Sequence, residues 1–425
     1  MYKAIVTKIR TRPLPGADRL QIGQCGQYQV VVGIDVKDGD LGVFLETDGQ
    51  LSEELAKRND LVRRKNEDGT AAGGMFEESR RVKSIKLRGA RSDGFWFPVS
   101  MLSYAGDVSS LKEGDQFDEF CGFKICNKYE TPATKRAQGA GRRSNPRKEN
   151  PMFAKHIETG MFKREFSQVP IGSMIYVTEK FHGSSGRVGH VLVDAPIKRG
   201  VVTGFFSRLL GLPKTKKQWA IIIGSRNVVI GDNHTGFYGA EKFRLDAAAG
   251  ISPRKGEVIY GEIVGYTETG VPIMANQNNE SMKESRIKKQ YGSKMEYRYG
   301  CLPSQCKFFV YRITSVNEDG FAVELPWTQV KKRCLELGLN TVPELARFVL
   351  ESHLAASQWA FSLTEQEDGL PLPSTLDSSH IREGVVVRAE GEFGTTWLKN
   401  KSFAFGCLEG YAKESDDFVD TEEAA

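Results

Sequence analysis

Short runs of alternating hydrophobic and polar residues dominate the first 126 positions of this 425-residue chain. Turn-forming residues interrupt the runs at 13–18, 33–40 and 68–74. Many short strands without a long helical pattern are typical of a small β-barrel such as an OB-fold. The pattern therefore predicts an OB-like module over residues 1–126, with strands at 2–10, 20–25, 28–32, 41–45, 82–87 and 94–99.

The hydrophobic pattern changes in the second part of the chain. Residues 153–412 mix strand-like and helical segments without regular alternation, which predicts an antiparallel α+β domain rather than a doubly wound one. Helical periodicity over 327–357 predicts two packed helices. Residues 127–152 have few large apolar side chains and are interpreted as a linker, whereas 413–425 are expected to form an acidic, frayed tail. The short apolar patch at 204–212 is interpreted as a buried helical turn.

Positive charge is concentrated locally although the formal net charge is only +5. Residues 128–150 hold seven Lys or Arg against two Glu, and a second basic cluster spans 198–217. Such clusters suit a polyanion because binding releases counterions from its backbone, although solvated loops remain the alternative.

Hydropathy and cysteine usage limit the class of protein. No apolar run reaches the roughly 20 residues that a membrane span requires, so we expect no membrane partner. The seven cysteines are scattered and lack the spacing of a zinc site, which favours reduced thiols. The chain is therefore expected to be a soluble, intracellular protein.

Three consecutive aromatic residues in the first module allow two interpretations. Phe95 and Phe97 share one face of a strand, and Trp96 lies on the other. Together with nearby Lys and Arg they could stack on nucleobases. Alternatively, Phe95 and Phe97 point inward as barrel core residues.

A candidate nucleophile follows a strand-like run at 174–177. The sequence there is Thr-Glu-Lys-Phe-His-Gly-Ser-Ser, in which Lys180 precedes His182 and Gly183. Lysine attacks only as the neutral amine, so a catalytic lysine needs other cations or a metal nearby, and a glycine lets a phosphate approach the backbone. A lone Lys-x-x-Gly spacing is a weak signal.

The order of further segments makes the signal specific. Gly-Ser-Arg-Asn at 224–227, Tyr-Gly-Glu-Ile-Val-Gly at 260–265 and Phe-Phe-Val-Tyr-Arg-Ile at 308–313 precede Glu-Gly-Val-Val-Val-Arg at 383–388 and Trp-Leu-Lys-Asn-Lys at 397–401. This series resembles the covalent nucleotidyltransferases, which include DNA ligases, RNA ligases and mRNA-capping enzymes. A histidine two residues after the lysine, as in His182, resembles the RNA-ligase branch, whereas DNA ligases and capping enzymes usually carry aspartate there. Residues 15–20, 81–89 and 92–98 are similar to the N-terminal module of the Deinococcus-type nick-sealing RNA ligases.

The resemblance implies the roles of individual residues. Lys180 would take AMP from ATP, and Mg²⁺, with Mn²⁺ as an alternative, would be held by Glu262 and Glu383, largely through water. Lys399 and Lys401, two apart on one strand face, would contact the α-phosphate. The resemblance further assigns adenine contact to Glu179, base stacking to Tyr311, ribose and phosphate contact to Arg226, and assistance in AMP transfer to His182. Phe309 shares the strand face of Tyr311, and Gly183 is the glycine beside which a phosphate could approach. Arg312 and Ser185 depart from the family pattern.

We therefore expect a monomeric ATP-dependent RNA ligase that joins a 3′-hydroxyl to a 5′-phosphate. A capping guanylyltransferase or a DNA ligase is an alternative, but those families carry an OB domain after the lysine pair, where this chain has 24 residues. A non-catalytic RNA-binding protein on a ligase-like fold is the other alternative. The retention of all five charged motif residues argues against it: Lys180, Glu262, Glu383, Lys399 and Lys401.

Overall fold

The computed structural model describes residues 2–65, 71–131, 135, 150–197, 212–230, 235–236, 239–240, 242–279, 282, 285–366, 369–392 and 394–414. Most of the expected linker, nearly all of the apolar patch at 204–212 and the acidic tail from 415 onward lie outside the described residues.

The chain divides into two compact units that are each built from discontinuous segments. The first comprises Met1–Arg143, Asn278–Ser293 and Ser402–Ala425, and the second comprises Ser144–Gln277 and Lys294–Lys401. The expected domain boundaries at 126, 152 and 412 stay a prediction.

The first unit is made almost entirely of short antiparallel strands, as the alternating pattern predicted. Its largest sheet has the strand order Gly94–Pro98, Leu41–Glu46, Ala4–Lys8 and Gln116–Phe117. A meander is formed by Arg10–Pro13, Leu20–Cys25 and Tyr28–Gly33. In a third sheet, the central strand Ser84–Leu87 pairs antiparallel with Ala90–Ser92 and parallel with Ala412–Glu414. The short strand pairs are Gly49–Leu51 with Cys126–Lys128, Arg63–Lys65 with Ala71–Gly73, and Glu119–Phe120 with Phe123–Lys124.

Helices in the first unit are short. They are Glu53–Arg58, Ser285–Tyr291 and Phe403–Leu408, with 3-10 turns at Val99–Leu102 and Val108–Ser110. Ser52 caps the first helix, because its hydroxyl accepts a hydrogen bond from the Leu55 amide at 3.1 Å.

The three aromatic residues in the first unit lie in different environments. Phe97 is buried in the main core, and Trp96 is buried in a second cluster on the opposite side of the strand. Phe95 shares the face of Phe97 but is only partly buried. The inward-facing interpretation is therefore correct for Phe97, whereas Phe95 retains an accessible edge.

The second unit contains two mainly antiparallel sheets. The five-stranded sheet has the order Gly160–Met161, Gly394–Lys401, Gly384–Gly391, Met174–Lys180 and Glu344–Val349, in which only the first pair is parallel. The seven-stranded sheet has the order Val229–Ile230, Thr215–Gly224, Ser184–Pro196, Glu257–Gly265, Cys306–Val316 and Ala322–Glu324, with Asn340–Thr341 also paired to Cys306–Val316. Lys180 ends a strand of the first sheet, and Ser184 begins a strand of the second.

Helices are few in the described part of the second unit, which agrees with the expected α+β class. They are Phe162–Glu165, Lys242–Ala248, Trp327–Leu337 and His353–Ser362, with a 3-10 turn at Phe166–Gln168. The other short strands are Thr235–Gly236, Gly239–Ala240, Gln277–Asn278 and Lys294–Met295.

The prediction of two consecutive helices over 327–357 is wrong in its middle part. Gly338 ends the first helix with a φ of +66°, a left-handed conformation that glycine adopts readily. Glu344–Val349 is then a strand that pairs with Met174–Lys180, and Phe348 packs on the core beneath that sheet. Tertiary pairing with a central strand has overridden the local helical pattern.

Among the described residues, no helix has the length and apolar composition needed to cross a membrane.

Candidate active site

Lys180 and Lys401 lie in one row across three strands of the five-stranded sheet. Lys180 is opposite Gly384, and Gly384 is opposite Lys401 on its other side. Residues paired in this way project from the same face of a sheet. Gly384 adds no side chain of its own between the two lysines, and a Cβ at this position would lie 2.2 Å from the Asn400 carbonyl oxygen.

Glu383, the residue before Gly384, holds both lysines. Its Oε1 lies 2.7 Å from Lys180 Nζ and 3.3 Å from Lys401 Nζ, while its side chain is only 2% exposed. Burial alone would raise the pKa of Glu383, but the positive charges of Lys180 and Lys401 outweigh it and the pKa is lowered. Glu383 is therefore an ionised carboxylate between two ammonium groups.

His182 completes this cluster as a neutral group. Its Nδ1 lies 3.8 Å from Glu383 Oε2. Burial lowers the pKa of His182 to about 4, against the opposing pull of the Glu383 charge. The imidazole is consequently uncharged near neutral pH, so it contributes hydrogen-bonding capacity rather than positive charge.

Glu262 brings a second carboxylate from the seven-stranded sheet. Ser185 Oγ donates to its Oε2 at 3.3 Å. Desolvation raises the pKa of Glu262 to about 7, the charge of Lys180 opposes the rise, and the charge of Glu383 adds to it. A carboxylate that is half-protonated near neutral pH gains from any cation that binds beside it.

The carboxylates of Glu262 and Glu383 are suited to bind the expected divalent cation, because hard cations such as Mg²⁺ prefer oxygen ligands. Glu383 Oε2 is buried and accepts no hydrogen bond within the described part of the chain. No group of three or more His, Cys, Asp or Glu side chains forms a metal-binding cluster among the described residues. A cation held by Glu262 and Glu383 would take its remaining ligands from water and phosphate oxygens, as Mg²⁺ commonly does.

Gly183 is required by packing between the two sheets. A Cβ at this position would lie 2.6 Å from the Ile263 carbonyl oxygen and 2.7 Å from Glu262 Cγ. The space beside Gly183 is thus filled by the strand that carries Glu262. The expected role in phosphate approach stays a prediction, and the structure adds a packing reason for the glycine.

Glu179 is buried beside the nucleophile with one oxygen engaged. Its Oε2 accepts hydrogen bonds from the amide of Thr375, at 3.0 Å, and from the hydroxyl of the same residue. Arg382 Nε lies 3.9 Å from Oε2. The other oxygen, Oε1, is buried and has no hydrogen-bond partner in the described structure. Buried polar atoms are rarely left unsatisfied, so Oε1 is a candidate acceptor for a ligand.

Tyr311 lies at an irregularity in its strand. Tyr260 is opposite Arg312, but the next residue, Gly261, is opposite Val310, so Tyr311 is the extra residue of a β-bulge. Arg312 stacks on the Tyr260 ring at 4.5 Å and pairs with Glu324, which accounts for an arginine at this position.

The other two expected nucleotide contacts lie in different settings. Phe309 is opposite Glu262 and packs edge-on against Phe181, with ring centroids 5.0 Å apart. Arg226 is exposed in the turn between Thr215–Gly224 and Val229–Ile230.

Lys399 lies two residues along from the Lys180 row, in the next row on the same face of the sheet. It is opposite Val386 and Met161, and Val386 is in turn opposite Thr178. Its two-residue spacing from Lys401 places both lysines on the same face, as predicted. The structure thus gathers Lys180, His182, Glu262, Glu383 and Lys401 most closely, with Lys399 in the adjacent row.

Comparison with known proteins decides the family. A family model described as RNA ligase matches residues 173–401, more than half of the chain. The chain belongs to the RNA ligase family. A second model, described as an OB-fold domain, matches residues 3–99 of this RNA ligase. No curated protein matches the chain.

Solved structures of Naegleria gruberi RNA ligase share the fold of this RNA ligase. A lysine-to-alanine variant with ATP and Mn matches at a TM-score of 0.56 and 17% identity, over 95% of this chain and 98% of that chain. The structure with PPi gives 0.56 and 17%, over 95% and 97%. A lysine-to-methionine variant with AMP and Mn gives 0.55 and 17%, over 95% and 97%. The predicted OB module followed by a ligase domain is confirmed at the level of the fold.

Sequence patterns missed two residues that hold the nucleophile segment of this RNA ligase. Tyr299 has a φ of +50°, which is unusual for a bulky side chain. Its hydroxyl accepts a hydrogen bond from the His182 amide at 2.6 Å, and its ring packs at a tilt against the Phe181 ring, with centroids 4.4 Å apart. Thr375 holds Glu179 as described above. The positive φ of Tyr299 persists only where several contacts hold the backbone, and residues in such conformations concentrate at functional sites.

His156 is a third residue without a sequence signal. Its ring packs edge-on against Tyr311 at 5.4 Å, and its amide donates to the Arg226 carbonyl oxygen at 3.2 Å. Burial lowers the pKa of His156 to about 4, and the charges of Arg226 and Lys180 act in the same direction. His156 therefore lies as a neutral ring between two expected nucleotide contacts.

Proposed function

We propose that this RNA ligase uses ATP to join a 3′-hydroxyl to a 5′-phosphate at a nick in RNA, through a lysyl-AMP on Lys180. The observation that carries the proposal is the convergence of Lys180 and Lys401 on buried Glu383. A nucleophile, a second cation for the phosphate and a carboxylate that orients both are what attack on the α-phosphate requires.

In the first step, Lys180 Nζ forms a bond to the α-phosphorus of ATP. The phosphorus–oxygen bond to the leaving pyrophosphate breaks, and its electron pair leaves with pyrophosphate. The ammonium group of Lys180 loses one proton to become the attacking amine, and the phosphorus-bonded nitrogen then loses a second. Both protons have a route to solvent because the lysine side chain is 24% exposed. Lys401 remains beside the reacting phosphate as a fixed positive charge.

A divalent cation, when bound, would neutralise charge on the phosphates, and Glu262 and Glu383 are its proposed holders. The raised pKa of Glu262 supports this assignment, because cation binding would displace the proton that burial otherwise favours.

The later steps use the same cluster. An oxygen of the RNA 5′-phosphate attacks the phosphorus of the lysyl-AMP, and the nitrogen–phosphorus bond breaks to regenerate the amine of Lys180. The RNA 3′-hydroxyl then attacks the 5′-phosphate and displaces AMP. Neutral His182, next to Glu383, is proposed to contact the phosphate during the transfer of AMP.

Selectivity for adenine is proposed to come from Glu179 and Tyr311. The unsatisfied Oε1 of Glu179 is suited to accept a hydrogen bond from the 6-amino group of adenine. Guanine has a carbonyl oxygen there, which would oppose the carboxylate. Tyr311, with Phe309 beside it, is proposed to stack on the base, and Arg226 to contact the ribose and phosphate.

The proposed division of labour assigns RNA binding to the OB-like module of residues 1–126 and adenylyl transfer to residues 153–412, in a monomeric enzyme. Deleting the module should leave lysyl-AMP formation largely intact but cripple sealing, because only the later steps need RNA ends in register.

A sealing assay tests the function directly. The full chain, ATP and Mg²⁺ should convert a 5′-labelled nicked RNA duplex to the joined strand. The Lys180→Ala variant should fail on this substrate but seal a duplex whose 5′-phosphate already carries AMP, because the last step needs no new lysyl-AMP. Failure of the wild type on both substrates would contradict the proposal.

A further inference from the structure

The first unit contains a pocket that is lined mainly by residues 63–95. Its floor is apolar and includes Met75, Phe76, Ile85 and Phe95. Phe95 packs edge-on against Phe76 with ring centroids 4.8 Å apart, and lies 5.4 Å from core residue Phe97. Because Phe95 is itself only partly buried, the pocket offers an aromatic surface that the core holds rigidly.

Positive charge surrounds this apolar floor. Lys83 Nζ lies 2.9 Å from Glu77 Oε2, and Lys413 Nζ lies 4.0 Å from Glu77 Oε1. The hydrogen bond from Lys83, followed by the charges of Lys413 and Arg63, lowers the pKa of Glu77. Lys83 and Lys413 therefore pair with one carboxylate that is 56% exposed, and the charge of Arg63 acts on the same group.

A fourth cation that lines the pocket, Arg81, is held by contacts with other side chains of the protein. Its guanidinium pairs with Asp48 at 2.6 Å and lies over the Tyr129 ring at 4.5 Å. Arg81 is therefore assigned to structure rather than to a ligand.

A strand near the end of the described residues contributes Lys413 to the pocket. Strand Ala412–Glu414 runs parallel to Ser84–Leu87, with Lys413 opposite Ile85. Lys413 was expected to begin an acidic tail, but it belongs to a strand of this unit.

We propose that this pocket binds one nucleotide of the RNA substrate, with its base against Phe95 and its phosphate among Lys83, Lys413 and Arg63. The inference rests on the proposed function, because it names where the substrate of that reaction docks. An aromatic, apolar lining beside three cations matches a ligand that is aromatic and anionic at once. In this account Glu77 occupies the place of the phosphate while RNA is absent.

The sharpest test removes the internal anion. Glu77→Gln frees the three cations for phosphate, so the full-length protein should bind a fluorescein-labelled nicked RNA duplex about two- to fivefold more tightly, as expected for one half-exposed ion pair. Glu119→Gln is the matched control, because it removes the same charge from an exposed position of the same unit outside the pocket. Fluorescence anisotropy over a range of salt concentrations measures both. Equal tightening in the two variants would refute the pocket and leave only a general charge effect.

Two loss variants test the base and the phosphate separately. Phe95→Leu keeps an apolar side chain for the core and should weaken RNA binding about five- to tenfold through lost stacking. Lys413→Gln should reduce the slope of log affinity against log salt by about one, as for one lost phosphate contact. Wild-type RNA binding in both variants would overturn the proposal.

Formation of labelled lysyl-AMP from ATP tests the proposed function separately from RNA binding in this pocket. Glu77→Gln, Phe95→Leu and Lys413→Gln should all form lysyl-AMP at the wild-type rate. Absence of labelling in the wild type would instead refute the proposed function, whatever the RNA affinities. If the variants changed affinity for a labelled poly-glutamate peptide but not for RNA, the pocket would be a site for an acidic protein partner.

Discussion

Glu383→Gln is the substitution that probes the lysine cluster most sharply, because it keeps the shape of the side chain and removes only its charge. The carboxylate attracts Lys180 and Lys401 across 2.7 and 3.3 Å. At an effective dielectric constant of about 20, each attraction is about 5 to 6 kcal/mol before desolvation is subtracted. Removing one partner of a fully buried pair costs about 3 to 5 kcal/mol.

The lysines are 24% and 26% exposed, so water replaces part of the lost attraction. We therefore expect Glu383→Gln to lower the free energy of unfolding by about 2 to 3 kcal/mol and to abolish lysyl-AMP formation. A second substitution, Lys401→Met, should restore about 1 kcal/mol in the Glu383→Gln background, because it removes the repulsion between two unbalanced ammonium groups.

Urea unfolding followed by tryptophan fluorescence measures these differences in the unit that contains the site. Four of the five tryptophans lie in this second unit: Trp219, Trp327, Trp359 and Trp397. An unchanged unfolding midpoint in Glu383→Gln would show that the cluster contributes no net stability. Additive effects of the two substitutions would show that Lys180 and Lys401 do not share the carboxylate.

Further predictions concern residues around the cluster. Because the pKa of Glu262 rises from 4.5 to about 7 on folding, the folded state binds more protons than the unfolded state, and wild-type stability should fall as the pH rises across that range. The Glu262→Gln variant should lack this fall. If the melting temperatures of the two proteins changed with pH in the same way, the prediction would be wrong. Tyr299→Phe removes the acceptor for the His182 amide and should slow lysyl-AMP formation about tenfold at an unchanged KM for ATP, whereas a loss of stability alone would exclude a positioning role. Tyr311→Ala should weaken ATP binding by about 1 to 3 kcal/mol in calorimetry while Phe308→Ala lowers stability instead, and the reverse result would mean that the strand faces were assigned wrongly.

The candidate motif residues were found in the sequence because the order of their segments resembles that of a known family, and local periodicity added only part of their geometry. The two-residue spacing of Lys399 and Lys401 requires a common face once the segment is a strand. The glycines at 183 and 384 could be read from the sequence as well, but the residues that pack against them could not be predicted from it. The register that brings Gly384 between Lys180 and Lys401 depends on strand pairing across the whole domain.

The supporting residues were not predictable, because their partners are distant in sequence. Tyr299 contacts the His182 amide from 117 positions away, and Thr375 contacts Glu179 from 196 positions away. Neither stands in a local pattern that distinguishes it from other turn residues. The strand Glu344–Val349 was mistaken for a helix for a related reason, since its conformation is set by pairing with Met174–Lys180.

The central claim is that Lys180 carries AMP, and label transfer from nucleotide to protein tests it most directly. Incubation with Mg²⁺ and ATP labelled at the α-phosphate should give a protein-bound label that survives denaturation, whereas labelled GTP should give none. The label should disappear in Lys180→Ala and persist in Lys163→Ala, which changes a lysine of the preceding helix Phe162–Glu165. Persistent labelling of Lys180→Ala, or equal labelling by GTP, would contradict the account.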